Sequence, residues 1–419
     1  MLQSKLFTKT IKQIPKDETS VNAQLLIRAG FISKQMAGVY NYLPLGLRVL
    51  TRIQNIIREE MNAIGGQEIL MPTLTQEENY KQTGRDKTMA DVLFSTMGQG
   101  DAKMFLNPTH EEIVTPLVQK FVLSYKDLPL AVYQIQNKFR NEARAKSGLL
   151  RGREFNMKDL YSFHATEKDL NNYYEIVKDA YFKIYNRLGI GDVTLLTFAS
   201  GGTFSKYSHE FQTLCEAGED IVHVCEKCRV AVNKEIIDEQ NTCPECGNKK
   251  LVARKAIEVG NIFKQRTKFT SAFNFKWVDE NGDEQPIEMA AYGIGPSRIM
   301  GTIVELFHDD AGMIWPKNVA PFSAHLIALT NDKEVVATAK KIYEKFNLSN
   351  GGDSILFDER DDKSIGEKLV DADLIGIPVR IIVSRKTLQQ DSCEVKCRHE
   401  KEARLVKIKE LDATCFKNF

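Results

Sequence analysis

The sequence predicts an α+β fold in three parts: a sheet-based body, a small cysteine-rich insertion and a C-terminal α/β domain. Three observations predict it. Residues 132–136 and 155–163 are short runs rich in branched and aromatic residues, and read as strands joined by a hairpin bearing Arg140, Arg144, Arg151 and Arg153. Cys225-x-x-Cys228 and Cys243-x-x-Cys246 are two pairs separated by fourteen residues. Beyond Pro321, apolar runs alternate with helical stripes in β-α-β-α-β order, as in a small sheet with parallel strands.

Bulk properties exclude several classes. A chain of 419 residues allows two or three domains, and 42% hydrophobic with 27% charged residues is ordinary for a globular protein. The net charge of +1 leaves nucleic-acid contacts to local basic patches. No apolar run approaches the roughly 18 residues of a membrane span, and the first residues carry no secretory pattern. Of eight cysteines, four form the two pairs, which indicates metal in a reducing compartment, not a disulfide scaffold. A cytoplasmic protein without a membrane partner is expected.

In chain order, residues 20–28 read as a helix stopped by Gly30. Leu47, Leu50, Ile53, Ile57, Met61 and Ile64 step by three or four, a helical stripe ended by Gly65-Gly66; residues 68–72 then read as a strand closed by proline. A second stripe runs from Ile113 to Tyr125, with Thr109 and Glu112 spaced as a capping box. The arginine hairpin suits a polyphosphate held against a flat base, since guanidinium forks pair with phosphate oxygens and a ring offers a stacking face. A charged surface hairpin explains it equally well at this point.

Residues 166–188 read as a further helix ending at Gly189. Ser208-His-Glu-Phe211 invites a hydrolase reading, but adjacent residues cannot form a nucleophile–base–orienter chain. Cys225, Cys228, Cys243 and Cys246 have the spacing of a tetrahedral, structural Zn²⁺ site; a redox pair would need only one C-x-x-C. Residues 258–263 and 288–295 read as strands, followed by a helix from Pro296. Gly293-x-Gly295 lacks the third glycine and the downstream acid of a dinucleotide fingerprint; it suits close ligand approach, with Arg298 in the first helical turn beside phosphates. The C-terminal domain reads as strands at 325–329, 354–358 and 379–383, helices at 335–346 and 364–375, and two closing strands near 394–398 and 404–409. Arg360, Arg385, Lys386 and Lys396 are its candidate RNA contacts, and Cys393 and Cys397 read as unbound.

Phe139-Arg-x-Glu142 followed by Arg151-x-x-x-Phe155 resembles motif 2 of the class II aminoacyl-tRNA synthetases, and the segment from Met289 to Arg298 resembles motif 3. Pro108-Thr-His-Glu111, Arg151-Gly-Arg-Glu-Phe155, Ser208-His-Glu-Phe211, Glu258-Val-Gly-Asn-Ile-Phe263 and Tyr292-Gly-Ile-Gly295 are similar to the bacterial type of prolyl-tRNA synthetase. The resemblance implies a class II catalytic domain of mostly antiparallel sheet over 1–222 and 256–318, a zinc ribbon over 223–255 and an anticodon-binding domain over 319–419. It implies a homodimer through the helix and strand before Pro72. The substrates would be ATP with Mg²⁺, L-proline and tRNA(Pro).

It also implies residue roles. Arg140 would touch the α-phosphate and the substrate carboxylate, with Arg140 and Arg298 the catalytic pair. Glu142 would hold the adenine amino group and Phe155 would stack on its ring, while Arg151 and Arg298 clamp the β- and γ-phosphates. Thr109, Glu111, Arg140 and His209 would bind proline, a hydroxyl beside a carboxylate being suited to orienting an ammonium in a small apolar pocket. His110, between Thr109 and Glu111, points elsewhere by alternation and takes no catalytic role. Family members often carry an alanyl-tRNA-editing insertion where this chain has only its cysteine segment, so no cis-editing is expected.

Overall fold

A nine-stranded sheet organises the larger of two compact units, Met36–Val39 with Ile53–Thr302, in a computed structural model that describes residues 1–15, 18–349 and 354–411. Residues 350–353 and 412–419, within the expected C-terminal domain, lie outside that description. The strand order is Tyr207–Leu214, Thr194–Ser200, Val230–Asn233, Asp220–Cys225, Val252–Arg266, Glu288–Ile294, Glu154–His164, Leu130–Phe139 and Gln67–Glu68. The pairings are antiparallel except at Val230–Asn233 with Thr194–Ser200 and at Gln67–Glu68 with Leu130–Phe139. The arginine hairpin holds at its predicted place but is longer, in register from Leu130 opposite Phe163 to Phe139 opposite Glu154.

One face of this sheet is covered by the helix Glu167–Leu188. Thr166 caps its first turn by accepting from the Asp169 N–H at 3.2 Å, and Gly189 ends it at φ 82°. Its buried stripe of Leu170, Tyr174, Val177, Tyr181, Ile184, Tyr185 and Leu188 meets Phe211 and Tyr292 on the strands. A large apolar side chain buried here stabilises by about 1.5–3 kcal/mol. The helix lies close on Val252–Arg266 because residue 260 is glycine; a Cβ there would meet the Tyr185 hydroxyl at 2.3 Å.

The cysteine segment is not a free-standing ribbon. Asp220–Cys225 pairs with Val252–Arg266 and with Val230–Asn233, which pairs with Thr194–Ser200; that strand pairs with Tyr207–Leu214, which returns to Val252–Arg266. The five strands thus close a circuit around Leu195, Val222, Val224, Ala231 and Ala256. The segment shares a core with the main sheet, so its folding does not rest on metal alone.

Two other expectations change. The strand expected at 68–72 is only Gln67–Glu68, because the chain leaves the ladder as the Gln134 side chain accepts the Met71 N–H at 3.0 Å. The second apolar stripe forms the helix Glu111–Gln119, which stops before the stripe ends and leaves Phe121 70% exposed. A separate capping box at Ser124 and Asp127 starts a new turn there and competes with continuation. Thr109 is not the N-cap; His110 is, and the Thr109 hydroxyl turns to Glu111.

The second unit joins Met1–Gln35, Tyr40–Arg52 and Ile303–Phe419. Its five-stranded sheet runs Ile355–Asp358, Ala324–Ala328, Val379–Val383, Ser392–Cys397 and Arg404–Lys407, the first two pairings parallel, as expected, and the last two antiparallel. Helices Lys333–Ser349 and Ile365–Ile375 supply the crossovers, and Ser364 with Glu367 completes a capping box. The first residues of the chain join this sheet's edge, where the Phe357 N–H donates to the Met1 carbonyl at 2.9 Å. Among the described residues no helix is long and apolar enough to cross a membrane.

Candidate active site

Strand alternation builds the site. With one sheet face under the long helix, the other presents Phe155, Met157, Asp159 and Tyr161 at a period of two to a cavity of about 170 Å³. Asn261, Phe263, Ala291, Gly293, Glu258 and Arg298 complete that wall. Thr109, Glu111 and Arg140 line the same cavity, and two adjoining cavities carry Arg140, Glu142, Arg151 and Arg298.

At one end lies a buried charge cluster. The Thr109 hydroxyl donates to Glu111, whose carboxylate also accepts from Gln265 at 3.0 Å and from Arg85 at 3.1 Å. Arg85, only 1% exposed, bonds both Glu112 oxygens at 3.0 Å and lies 4.9 Å from the Phe204 ring centre. Burial works against its charge, but Glu112 and Glu111 outweigh burial and hold it above its ordinary pKa. Burial raises the Glu112 pKa despite Arg85. Two acids against one arginine leave one negative charge for a cationic ligand group.

Behind Thr109, the Tyr161 hydroxyl accepts the His110 N–H at 2.9 Å and donates to Asp159 at 2.9 Å. Lys138 pairs with Asp159 at 2.7 Å and donates to His110 Nδ1 at 2.8 Å. Burial alone would raise the Asp159 pKa; Lys138 outweighs it and holds the carboxyl below its usual range. His110 Nε2 reaches the Pro72 carbonyl at 2.9 Å, and burial with Lys138 lowers the imidazole to about 4, so it is neutral and faces away from the cavity.

The other end is cationic. The Arg140 guanidinium lies 5.2 Å from the Phe155 ring centre, and burial with Arg298 lowers its pKa. Arg298 is held by the Glu258 carbonyl at 2.8 Å and carboxylate at 3.1 Å. Arg151 forks onto Glu142 at 2.9–3.0 Å and reaches Glu219 at 3.3 Å. Arg140 and Arg298 line all three adjoining cavities, so they stand where the two ends meet.

His209 does not join them. On its strand Phe211 packs under the helix, so His209, two residues away, faces the same side; its Nδ1 lies 2.8 Å from the Tyr174 hydroxyl. Burial, then Lys178 and Lys264, lower it to about 4. The opposite face of that strand carries Glu210, buried against Asn233, Gln212 and Asn261. Arg360 is also removed from the candidate RNA contacts: it is buried and paired with Asp358 at 2.7 Å and Asp371 at 3.0 Å. Arg385 and Lys386 are exposed and Lys396 is half-buried. Cys393 and Cys397 are buried and free.

Sequence reasoning missed Arg85, Asp159, Tyr161 and Glu258 as wall or support. The period-two pattern from Phe155 carries Asp159 and Tyr161; nothing local marks Arg85.

The four cysteines come together, their sulfurs all within 4.8 Å and those of Cys225 and Cys246 3.8 Å apart. A tetrahedral Zn²⁺ with bonds of about 2.3 Å needs sulfurs about 3.8 Å apart, so the set fits. Arg229 and Gly247, each following the second cysteine of a pair, turn the chain at φ 58° and 70°, and the Asn248 amide donates to the Cys225 sulfur at 3.5 Å.

Comparison with known proteins agrees with this fold. The family model "tRNA synthetase class II core domain (G, H, P, S and T)" matches residues 94–307, and "Anticodon binding domain" matches 319–417. A proline--tRNA ligase of Agrobacterium fabrum is 37% identical over 439 residues, covering 97% of this chain and 98% of that one. One from Sulfurihydrogenibium sp. is 34% identical over 558 residues, covering 98% of each. In fold, the chain is similar to Giardia lamblia prolyl-tRNA synthetase in complex with prolyl-adenylate, with a TM-score of 0.76, 20% identity and coverage of 92% of this chain and 74% of that one.

Proposed function

The chain belongs to the proline--tRNA ligase family of the class II aminoacyl-tRNA synthetases, and we propose that its pocket makes prolyl-adenylate from L-proline and ATP and passes the prolyl group to tRNA(Pro). The observation that carries this reading is the position of Arg140 and Arg298. They line both the cavity holding Thr109 and Glu111 and the one holding Glu142 and Arg151. A carboxylate and an α-phosphate must meet at such a boundary.

Thr109 and Glu111 take the proline ammonium, with Arg85 fixing Glu111. Phe204 and Phe263, their ring centres 4.6 Å apart, offer the ring an apolar wall. Arg140 draws the proline carboxylate onto the α-phosphate, pyrophosphate departs, and Arg151 and Arg298 neutralise its charge. For that, Arg151 exchanges its bonds to Glu142 and Glu219 for phosphate oxygens, which frees Glu142 for the adenine amino group beside Phe155. The 3′-terminal ribose hydroxyl of tRNA then attacks the prolyl carbonyl and AMP leaves. No protein nucleophile is required; positioning and charge neutralisation supply the catalysis.

Glu258, a carboxylate lining two of the cavities, would hold the Mg²⁺ that accompanies ATP, which would supply neutralisation of phosphate charge. Cys225, Cys228, Cys243 and Cys246 hold a structural Zn²⁺. The enzyme is a cytoplasmic homodimer. It lacks cis-editing, a reading supported by the alignment of 558 positions to the Sulfurihydrogenibium relative against 419 residues here, whereas the Agrobacterium alignment spans 439. Pyrophosphate exchange into ATP should depend on proline above all other amino acids. Arg140→Ala should abolish it while the oligomer and the melting midpoint stay as in the parent; exchange driven best by another amino acid would overturn the assignment.

A further inference from the structure

Of the two strands that flank the first cysteine pair, one lines the reaction pocket and the other is hydrogen-bonded to residues behind it. Asp220–Cys225 ends on a sulfur ligand at one end and carries Asp220, on the wall of the arginine-lined cavity, at the other. Val230–Asn233 begins just after Cys228 and ends on buried Asn233. Between them lies Glu210, 8% exposed, whose carboxylate accepts from Asn233 at 2.9 Å, Gln212 at 2.9 Å and Asn261 at 3.4 Å. Gln212 also donates to Asp220 at 2.8 Å, and Asn261 to Glu258 at 3.2 Å. Glu258 in turn fixes Arg298. An unbroken run of hydrogen bonds therefore joins the end of a cysteine-segment strand to an arginine of the pocket.

We propose that Asn233 and Glu210 are positioning residues through which the metal-binding segment sets the Glu258–Arg298 geometry, and with it the grip on ATP. The inference rests on reading the pocket as the ATP site. The closed circuit of five strands supports it, because a shift of either cysteine-segment strand moves Asn233 relative to Glu210 instead of being lost in a loose insertion. Three amide donors, from Asn233, Gln212 and Asn261, also converge on this one buried carboxyl and tie the three strands that carry them to a single acceptor. Burial and then Glu258 push the Glu210 carboxyl up, against the Gln212 and Asn233 amides that pull it down.

The test is ATP affinity by isothermal titration on the zinc-loaded full chain, beside exchange kinetics. In Asn233→Ala and in Glu210→Ala the ATP dissociation constant and the KM for ATP should rise about tenfold, with the KM for proline within twofold. Glu210→Gln, which keeps the acceptor shared by Asn233 and Gln212, should stay within twofold of the parent. Removing zinc with a chelator should weaken ATP binding by the same factor in the parent, and add nothing in Asn233→Ala. Unchanged ATP affinity in both alanine variants would overturn the coupling. Equal losses for ATP and proline with a lowered melting midpoint would also overturn it, leaving a structural role only. A parent that binds no ATP would overturn the reading of the pocket itself, a distinct outcome.

Discussion

Replacing Arg85 with methionine tests the amino-acid end of the pocket most directly. Arg85 Nη1 bonds Glu111 at 3.1 Å and Glu112 at 3.0 Å, all three side chains buried. Methionine fills similar volume but leaves two carboxylates side by side without their counter-charge. Breaking a buried pair by removing one partner costs about 3–5 kcal/mol, a large share of the roughly 5–15 kcal/mol that holds a domain folded. The loss should depend on pH. Burial already raises the Glu112 carboxyl above its ordinary value of 4.5, and without Arg85 it rises further. A raised folded pKa costs nothing below the unfolded value and a growing amount as pH rises through the folded one. Urea denaturation followed by circular dichroism should therefore show the deficit at pH 8 and much less near pH 5. Without Arg85 the Glu111 carboxylate also loses the 3.1 Å contact that fixes it against the proline ammonium, so the KM for proline should rise at least tenfold while that for ATP stays within threefold. A stability loss under about 1 kcal/mol at pH 8, or an unchanged proline KM, would refute the reasoning.

Two more outcomes follow from the same structure. Arg360→Ala leaves Asp358 and Asp371 buried and unpaired, so the C-terminal unit should lose about 3 kcal/mol by thermal or urea melting; tRNA affinity measured well below the melting midpoint should be unchanged, and a selective tRNA defect would restore Arg360 as an RNA contact. With alanine and tRNA(Pro), mischarged alanyl-tRNA should persist during incubation with the enzyme, because a pocket of apolar walls separates proline from alanine by only about 1–3 kcal/mol per methylene; rapid enzyme-dependent deacylation would contradict that.

Local patterns identified what local physics controls. The helix at 166–188 was legible because Thr166, the apolar stripe and Gly189 each act within a turn of their own position. The arginine hairpin and the C-terminal order of strands and helices were legible for the same reason, and the four cysteines because two pairs need only two tight turns to converge. The early end of the Glu111–Gln119 helix was not, because two start signals competed and the apolar stripe does not say which prevails.

Other features depend on which face of a strand is covered, and a sequence does not show that. Glu210 and His209 are neighbours, and only the seating of the long helix against Phe211 puts histidine on the helix side and glutamate on the opposite face. Arg85, Gln265 and Glu111 meet across more than 150 residues, since a buried charge recruits whatever partner the packing brings. The cysteine segment read as a separate ribbon because its spacing is complete in itself; that its strands close a circuit with the catalytic sheet was decided by hydrogen-bond ladders between distant residues. Composition and spacing thus determined the elements, the chemistry of the arginines and the thiolate set. Tertiary packing alone decided their facing, because burial and charge compensation are settled by neighbours in space, not in sequence.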